Sequence, residues 1–158
     1  MVLLHGITDT WRTWEPLLPA LEARHEVLAP TLPGHAGGPP LPERAGVGAL
    51  ADAVEGWMDD AGWRTAHLVG NSLGGYVALQ LAARGRADTV VALAPAGGWA
   101  PGDPAAAETL RGFLDRRDAV RAAAPEADRI AATAEGRRGA TRPTPSAPTT
   151  CRRTSWPT

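Results

Sequence analysis

The stretch "HLVGNSLGGYVALQLAAR", residues 67–84, decides the fold of this chain of 158 residues. It reads as a short apolar strand, a serine flanked by glycines, and an apolar helix. The letters "GNSLG" fit the pattern G-x-S-x-G, which in this setting holds a serine on a strained turn with its hydroxyl above a sheet. Glycines two residues before and after Ser72 keep side chains out of that turn. The stretch therefore predicts a nucleophile elbow at Ser72.

Two other interpretations of this turn are an anion-binding loop and a purely structural bend. Backbone amides at the start of a helix hold phosphate as well as a developing oxyanion. However, "GNSLGG" matches neither the dinucleotide fingerprint G-x-G-x-x-G nor a Walker pattern ending in G-K-[ST], and the chain has no lysine. The position between an apolar strand and an apolar helix favours the nucleophile elbow.

The chain on both sides of this stretch alternates between apolar strands and amphipathic helices. Such alternation with short connections is typical of a parallel sheet with helices on both faces. We therefore predict an α/β fold with a central parallel sheet of about four strands. Thr13 is the expected N-cap of the first helix. The expected strands are residues 2–6, 25–30, 66–71 and 89–95, and the expected helices are residues 13–24, 47–61 and 73–84.

Composition divides the chain into three predicted segments. Residues 1–103 form the α/β core, and residues 104–135 form a weakly helical segment. Residues 136–158 contain five arginines, no acid and no Leu, Ile, Val, Met or Phe, so this part has a net charge of +5 against −6 for residues 1–135. A segment that buries little apolar surface does not offset the entropy lost on ordering. We predict that residues 136–158 are a disordered, basic tail rich in Pro, Thr and Arg.

The helical segment at residues 104–135 has few apolar anchors, chiefly Leu110, Phe113, Leu114 and Val120. It is either a pair of surface helices or the start of a lid over a pocket. Both kinds of helix have the same amphipathic composition, so both interpretations remain open at this point.

The overall composition excludes several classes of protein. The net charge of −1 argues against a nucleic-acid surface, which appears as a basic patch. The first residues lack a positive region before a long apolar core, and no run of about 18 apolar residues follows, so we expect neither a signal peptide nor a membrane span. Cys151 is the one cysteine, which excludes an internal disulfide and a multi-cysteine metal site. We predict a cytoplasmic protein that acts on a small-molecule substrate without a cofactor or metal and binds neither nucleic acid nor membrane.

Four segments resemble the α/β-hydrolase fold family, in the family's order and with its spacing. They are "VLLHGITDTWRTWEPLLPAL", "VLAPTLPGHAGG", "HLVGNSLGGYVALQLAAR" and "TVVALAPAGG", which cover about residues 1–100. The resemblance implies that Ser72 is the nucleophile of a serine hydrolase and that the backbone N–H groups of Ile7 and Leu73 form its oxyanion hole. It also implies supporting roles for residues of the two turns: His5, Gly6, Gly70, Asn71, Gly74 and Gly75.

The chain departs from this family in the residue that would accept the serine proton. A serine hydroxyl needs a neighbouring base at neutral pH, and in this family the chain order is Ser, then Asp or Glu, then His. In this chain every histidine precedes Ser72: His5, His25, His35 and His67. Asp103, the acid that follows the strand after the nucleophile helix, is too distant for an assignment. We therefore expect that the catalytic His and acid are missing and that this chain is inactive or impaired.

The resemblance also implies a truncated protein. The chain begins almost inside the strand "VLLHG", so the first two strands of the family are absent, and the late strands fall where the tail begins. What remains resembles the central four strands of an eight-stranded sheet, a partial α/β-hydrolase fold. Exposed sheet edges in such a fragment favour self-association.

These observations lead to one predicted function and two alternatives. Serine at the elbow favours cleavage of a carboxylic ester or similar acyl bond through an acyl-enzyme. The first alternative is a catalytically silent fragment or binding module on the same scaffold. The second is a carbon-carbon bond hydrolase, since Asn71 before the serine is similar to the elbow of enzymes that act on ring-cleavage products.

Overall fold

A computed structural model of the chain describes residues 1–42, 45, 46, 48–100 and 102–140. The chain divides into two compact units, Met1–Asp118 and Ala119–Thr158. The first unit contains a parallel sheet of three strands in the order β1-β2-β3: β1 is Val2–Leu4, β2 is Ala66–Asn71 and β3 is Ala87–Leu93. The predicted α/β fold is confirmed.

The predicted strand at residues 25–30 is reduced to a single parallel bridge between Leu28 and Val2. The Leu3 N–H donates to the Leu28 carbonyl at 2.9 Å, and the Leu28 N–H donates to the Met1 carbonyl at 2.9 Å. Pro30 has no N–H to continue the ladder, and β1 offers only three residues for pairing. The sheet of about four strands that the sequence predicts is thus three strands and one bridged segment, which pairs with β1.

The predicted helix at residues 13–24 is broken into a 3-10 helix, Trp11–Trp14, and a short helix α1, Leu18–Glu22. The N-cap is Thr10, whose hydroxyl accepts from the Arg12 N–H at 3.3 Å. Thr13 does not cap, because its hydroxyl donates to an Asp9 carboxylate oxygen at 2.6 Å. Pro16 and Pro19 have no backbone N–H group to donate to a preceding carbonyl, so they interrupt the helical hydrogen bonds and divide the helix.

Two longer helices cover one face of the sheet. Helix α2 is Gly48–Asp60 and helix α3 is Leu73–Ala83, close to the predicted ranges, with Val47 outside the described residues. Their apolar sides join alternate residues of β1 and β2 in a single core. The core consists of Val2, Leu4, Leu32, Leu50, Ala51, Val54, Met58, Ala66, Leu68, Val77, Ala78 and Leu81. This core anchors the junction between β2 and α3, where Ser72 lies.

Helix α4, Pro104–Ala123, follows the sheet, and the second unit continues with a 3-10 helix, Ala124–Glu126, and two short helices, α5 (Ala127–Ala132) and α6 (Ala134–Ala140). Helix α6 corrects one expectation, because residues 136–140 of the predicted disordered tail are helical. The Thr133 hydroxyl accepts from the Gly136 N–H at 3.0 Å, which supplies a cap that composition alone does not reveal. The rest of that tail, residues 141–158, lies outside the described residues.

None of the helices in the described ranges combines the length and apolar character needed to cross a bilayer.

Candidate active site

Ser72 occupies a strained turn between β2 and α3. Its backbone has φ 50° and ψ −112°, which residues with a side chain rarely adopt. The Ser72 N–H donates to the Leu93 carbonyl at 2.9 Å, and the Ser72 carbonyl accepts from the N–H groups of Tyr76 at 3.0 Å and Ala96 at 2.9 Å. Such a conformation costs about 1–3 kcal/mol and persists only where the surroundings impose it. Bonds to β3, to α3 and to the loop after β3 impose it here.

Glycines around Ser72 let three backbones meet at van der Waals distance. A Cβ on Gly70 would lie 2.5 Å from the Gly75 nitrogen, and a Cβ on Gly74 would overlap the carbonyl group of Leu4. A Cβ on Gly75 would lie 3.1 Å from the Pro95 Cα. The spacing of glycines in "GNSLGG" therefore packs α3 directly against the ends of β1 and β2.

The turn after β1 is held by His5, which is fully buried. Its Nε2 accepts from the Leu32 N–H at 2.9 Å, so Nδ1 carries the proton and donates to the Gly6 carbonyl at 2.8 Å. Burial lowers the pKa of His5, which favours this neutral form. Both ring nitrogens are thus engaged by the backbone, and His5 ties the turn to the loop at Leu32.

The same turn lies against the elbow. A Cβ on Gly6 would lie 3.0 Å from the Asn71 Oδ1 and 3.5 Å from the Ser72 Cβ. The Asn71 side chain donates from Nδ2 to the Leu93 carbonyl at 3.4 Å, which links the elbow to the end of β3. The structure therefore brings together Ser72 and the eight other residues that the sequence singles out with it.

Two backbone N–H groups beside Ser72 have no partner within the described part of the chain. One belongs to Leu73, the first residue of α3, where helix geometry leaves the N–H without an intrahelical acceptor. The other belongs to Ile7, the residue after the His5-Gly6 turn. Both residues line the same cavity as Ser72. Unpaired donors next to a hydroxyl suit an anionic oxygen.

A cavity of about 380 Å³ opens next to Ser72. It is lined almost entirely by apolar atoms, with contributions from the turn after β1, from α3, from the loop after β3 and from α4. Its size is within the range of small-molecule sites. The lining residues are Ile7, Ser72, Leu73, Tyr76, Ala96, Gly97, Trp99, Ala106, Ala107, Leu110 and Phe113.

Helix α4 forms one wall of this cavity through its first half. Ala106, Ala107, Leu110 and Phe113 recur at steps of three and four and lie on one side of the helix. The lid interpretation of the segment stays a prediction, because an ordinary surface helix can also line a cavity. Sequence reasoning missed Tyr76, although its position one helical turn after Ser72 was a usable signal.

The other titratable residues considered as bases or acids lie elsewhere. The ring of His35 packs edge-on against His5 at 4.9 Å between centroids, and that of His25 packs similarly against His67 at 5.9 Å. None of these four histidines lines the cavity. Asp103 accepts from the Ala105 N–H at 2.9 Å and thereby caps α4. Among the described residues, no group of three or more His, Cys, Asp or Glu side chains is arranged to hold a metal ion.

Comparison with known proteins identifies the family. A profile of the "Alpha/beta hydrolase family" matches residues 1–158. The chain belongs to the α/β-hydrolase family. This agrees with the parallel sheet, the strained serine turn and the glycine packing described above.

Curated relatives match only part of the chain. Epoxide hydrolase EphH of Mycobacterium tuberculosis is 52% identical over 65 residues, which is 41% of this chain and 30% of that protein. Pimeloyl-[acyl-carrier protein] methyl ester esterase of Neisseria meningitidis serogroup A is 42% identical over 82 residues, which is 52% of this chain and 25% of that protein. The chain thus spans less than a third of the length of these two relatives.

Solved structures of hydrolases superpose on a larger share of the chain. A hydrolase from Pseudomonas aeruginosa PA01 has a TM-score of 0.63 and 28% identity, and the match covers 80% of this chain and 48% of that one. A meta-cleavage product hydrolase from Pseudomonas fluorescens IP01 has a TM-score of 0.55 and 28% identity, over 73% of this chain and 48% of that one. The partial α/β-hydrolase fold expected from the sequence is therefore confirmed.

Proposed function

We propose that this chain carries the nucleophile and oxyanion-hole part of a serine hydrolase that cleaves carboxylic esters or similar acyl bonds. Ser72 Oγ attacks the acyl carbon and forms an ester with it, the hydroxyl proton passes to a base, and the alcohol leaves with a proton. The N–H groups of Ile7 and Leu73 bind the oxygen that becomes negative in the tetrahedral intermediate. The observation that carries the proposal is the strained Ser72 on a cavity that the residues of both unpaired donors also line.

The proposal assigns no base within the described residues. His5 uses both ring nitrogens for backbone bonds, and no histidine follows Ser72. Proton transfer by a positioned group contributes about 10²–10⁴-fold to the rate of such reactions. We therefore expect this chain alone to acylate slowly and to turn over poorly.

Epoxide opening is the activity named for one relative, EphH. Attack of a serine alkoxide on an epoxide carbon would form an ether, which water does not readily cleave, whereas attack on an ester forms a new ester that can be hydrolysed. A carboxylate nucleophile avoids that dead end, but residue 72 is a serine. The chemistry of Ser72 therefore favours acyl transfer.

Carbon-carbon bond hydrolysis remains the second candidate. It is supported by Asn71 before the serine and by the likeness to the meta-cleavage product hydrolase. Assays with an aryl ester and with a vinylogous diketone of similar size would distinguish the two activities.

The test of the proposal is chemical rescue of acylation. The full chain is treated with a fluorophosphonate probe, with and without added imidazole, and the modified residue is located by mass spectrometry. We expect one label per chain on Ser72, formed faster with imidazole because the free base replaces the absent histidine. Ser72→Ala should abolish labelling, and Ser146→Ala, a matched change at a serine outside the motif, should not.

Two results would contradict the proposal. Labelling that persists in Ser72→Ala would place the reactive group elsewhere. Absence of labelling in a chain shown to be folded by circular dichroism, even with imidazole, would favour the catalytically silent scaffold.

A further inference from the structure

Among the residues that the structure describes, none that lines the cavity beside Ser72 has an acidic or basic side chain. Of the eleven lining residues, only Ser72, Tyr76 and Trp99 have polar side-chain atoms, and no Asp, Glu, Lys, Arg or His is among them. The aromatic rings of Tyr76, Trp99 and Phe113 come from three separate parts of the chain: α3, the loop after β3 and α4. Any group that enters this cavity therefore leaves water for an uncharged, largely aromatic surface.

Charged residues of α4 stay out of the lining. On α4, Glu108 and Arg111 are exposed and are not part of the lining.

We propose that this cavity selects substrates whose acyl or alkyl group is neutral and apolar, of about the size of a phenylalkyl chain, and excludes those that carry a carboxylate on that group. The proposal rests on the function proposed above in assigning the cavity to the substrate of Ser72. The physical reason is desolvation: a carboxylate placed among these apolar side chains, away from the N–H groups of Ile7 and Leu73, loses its hydration and gains no cation in return. A neutral group of the same shape gains from apolar burial.

The charge of the substrate would distinguish this chain from one of its relatives. One relative, 33% identical over 86 residues, is named for hydrolysis of 2-hydroxy-6-oxononadienedioate, a substrate with two carboxylates. The present lining offers no partner for the second carboxylate. If the proposal holds, this chain differs from that relative in the charge its site accepts.

The test measures binding of two ligands that differ only in charge. Ser72→Ala protein, which cannot be acylated at this position, is titrated at pH 7.5 with 4-(4-carbamoylphenyl)butyramide and with 4-(4-carboxyphenyl)butyramide, and binding is followed by NMR chemical-shift changes. Both ligands offer the same butyramide group to the N–H groups of Ile7 and Leu73, so they differ only in the charge at the far end. We expect the uncharged amide to bind at least about tenfold more tightly, since only the carboxylate must be desolvated without a partner.

A positive charge placed in the lining should weaken this preference. Leu110 lines the cavity but is 56% exposed, so Leu110→Arg introduces a cation at the site without burying it. We expect the amide-to-carboxylate affinity ratio to fall at least about tenfold in this variant. Leu79→Arg makes the same change at another exposed leucine that is not part of the lining, and it should leave the ratio unchanged.

Three outcomes would overturn the proposal: equal affinities for the two ligands, no binding of either, or the same response from Leu79→Arg as from Leu110→Arg. These outcomes are independent of the labelling of Ser72. Failure of the rescue experiment with a preserved ligand preference would remove the hydrolase proposal and keep the selectivity of the cavity. Labelling of Ser72 without any ligand preference would remove the selectivity of the cavity and keep the hydrolase proposal.

Discussion

The two faces of the central sheet are covered to very different extents. On one face, Leu68 of β2 is fully buried under α2 and α3, and its register partner Val90 packs against the same core. On the other face, burial decreases across the sheet, from Leu3 with no exposed surface, through half-buried Val69, to Val91 with 50% of its surface exposed. Adjacent residues in one strand thus have opposite surroundings, and the difference arises from what packs on each face.

The functional site lies at the ends of the strands, next to one of the helices that cover this face. The elbow at Ser72 is anchored where α3 crosses the ends of β1 and β2, and the glycines there permit backbone contact. Strand β3 contributes no residue to the cavity lining from either face. Substitutions on the two faces should therefore have different consequences.

The largest effect is expected from an added methyl group at the helix crossing. In Gly74→Ala the new Cβ overlaps the Leu4 carbonyl, which is backbone and cannot move aside, so we expect a loss of more than about 3 kcal/mol in the free energy of unfolding. Gly56→Ala, in α2 with open space around it, should instead gain about 0.5–1 kcal/mol. Urea denaturation followed by circular dichroism measures both. Equal effects of the two variants would contradict the close packing at the elbow.

A smaller effect is expected from truncating a leucine of α3. Leu81→Ala removes a fully buried side chain from the core and should cost about 2–5 kcal/mol. Leu79→Ala, two residues earlier and 44% exposed, should change stability by less than about 1 kcal/mol. The same denaturation experiment compares them. If Leu79→Ala proved as costly as Leu81→Ala, the assignment of the covered side of α3 would be wrong.

A pH-dependent effect is expected from His5, whose pKa is lowered by burial; the hydrogen bond to the Gly6 carbonyl opposes this shift, His35 adds to it, and Asp9 opposes it. In the unfolded chain a histidine takes up a proton below about pH 6.5, whereas folded His5 resists protonation. The unfolded state therefore binds more protons, so stability is fully present above pH 6.5 and falls as the pH decreases below it.

The free energy of unfolding is measured from pH 8 to pH 5, where that of the unsubstituted protein should decrease with falling pH. In His5→Gln the decrease should be shallower. The variant is also expected to be less stable at every pH, because the hydrogen bond from the Leu32 N–H is altered. His35→Gln is the control, and we expect it to retain most of the slope. An unchanged slope in His5→Gln would show that another group is responsible.

The smallest effect is expected on the open face of β3. Val91→Thr should change the free energy of unfolding by no more than about 0.5 kcal/mol, because half of the side chain is already exposed. Val90→Thr, its neighbour on the covered face, should cost about 1–2 kcal/mol.

We also expect Val91→Arg to reduce self-association in size-exclusion chromatography, since it places a charge on an exposed apolar face. Elution that does not change would argue against self-association through this face.

The agreement between sequence and structure is best where the determinants are local. β2 has the predicted bounds, and α3 ends one residue before the predicted end, because alternation, helical periodicity and the glycine spacing all act within a few residues. The strand at residues 25–30 and the helix at residues 13–24 failed, because Pro30 interrupts pairing and Thr10 competes as a cap. The helical start of the predicted tail was missed because a single threonine caps it.

The sequence by itself determined the fold class, the family and the place of the serine, because G-x-S-x-G between an apolar strand and an apolar helix constrains the backbone locally. Only the tertiary structure decided which helix walls the cavity, that the cavity lining lacks charge, and that His5 is engaged by the backbone. These properties depend on contacts between residues far apart in the chain, such as Leu110 near Ser72 and Leu32 bound to His5. Periodicity within one segment carries no information about such contacts.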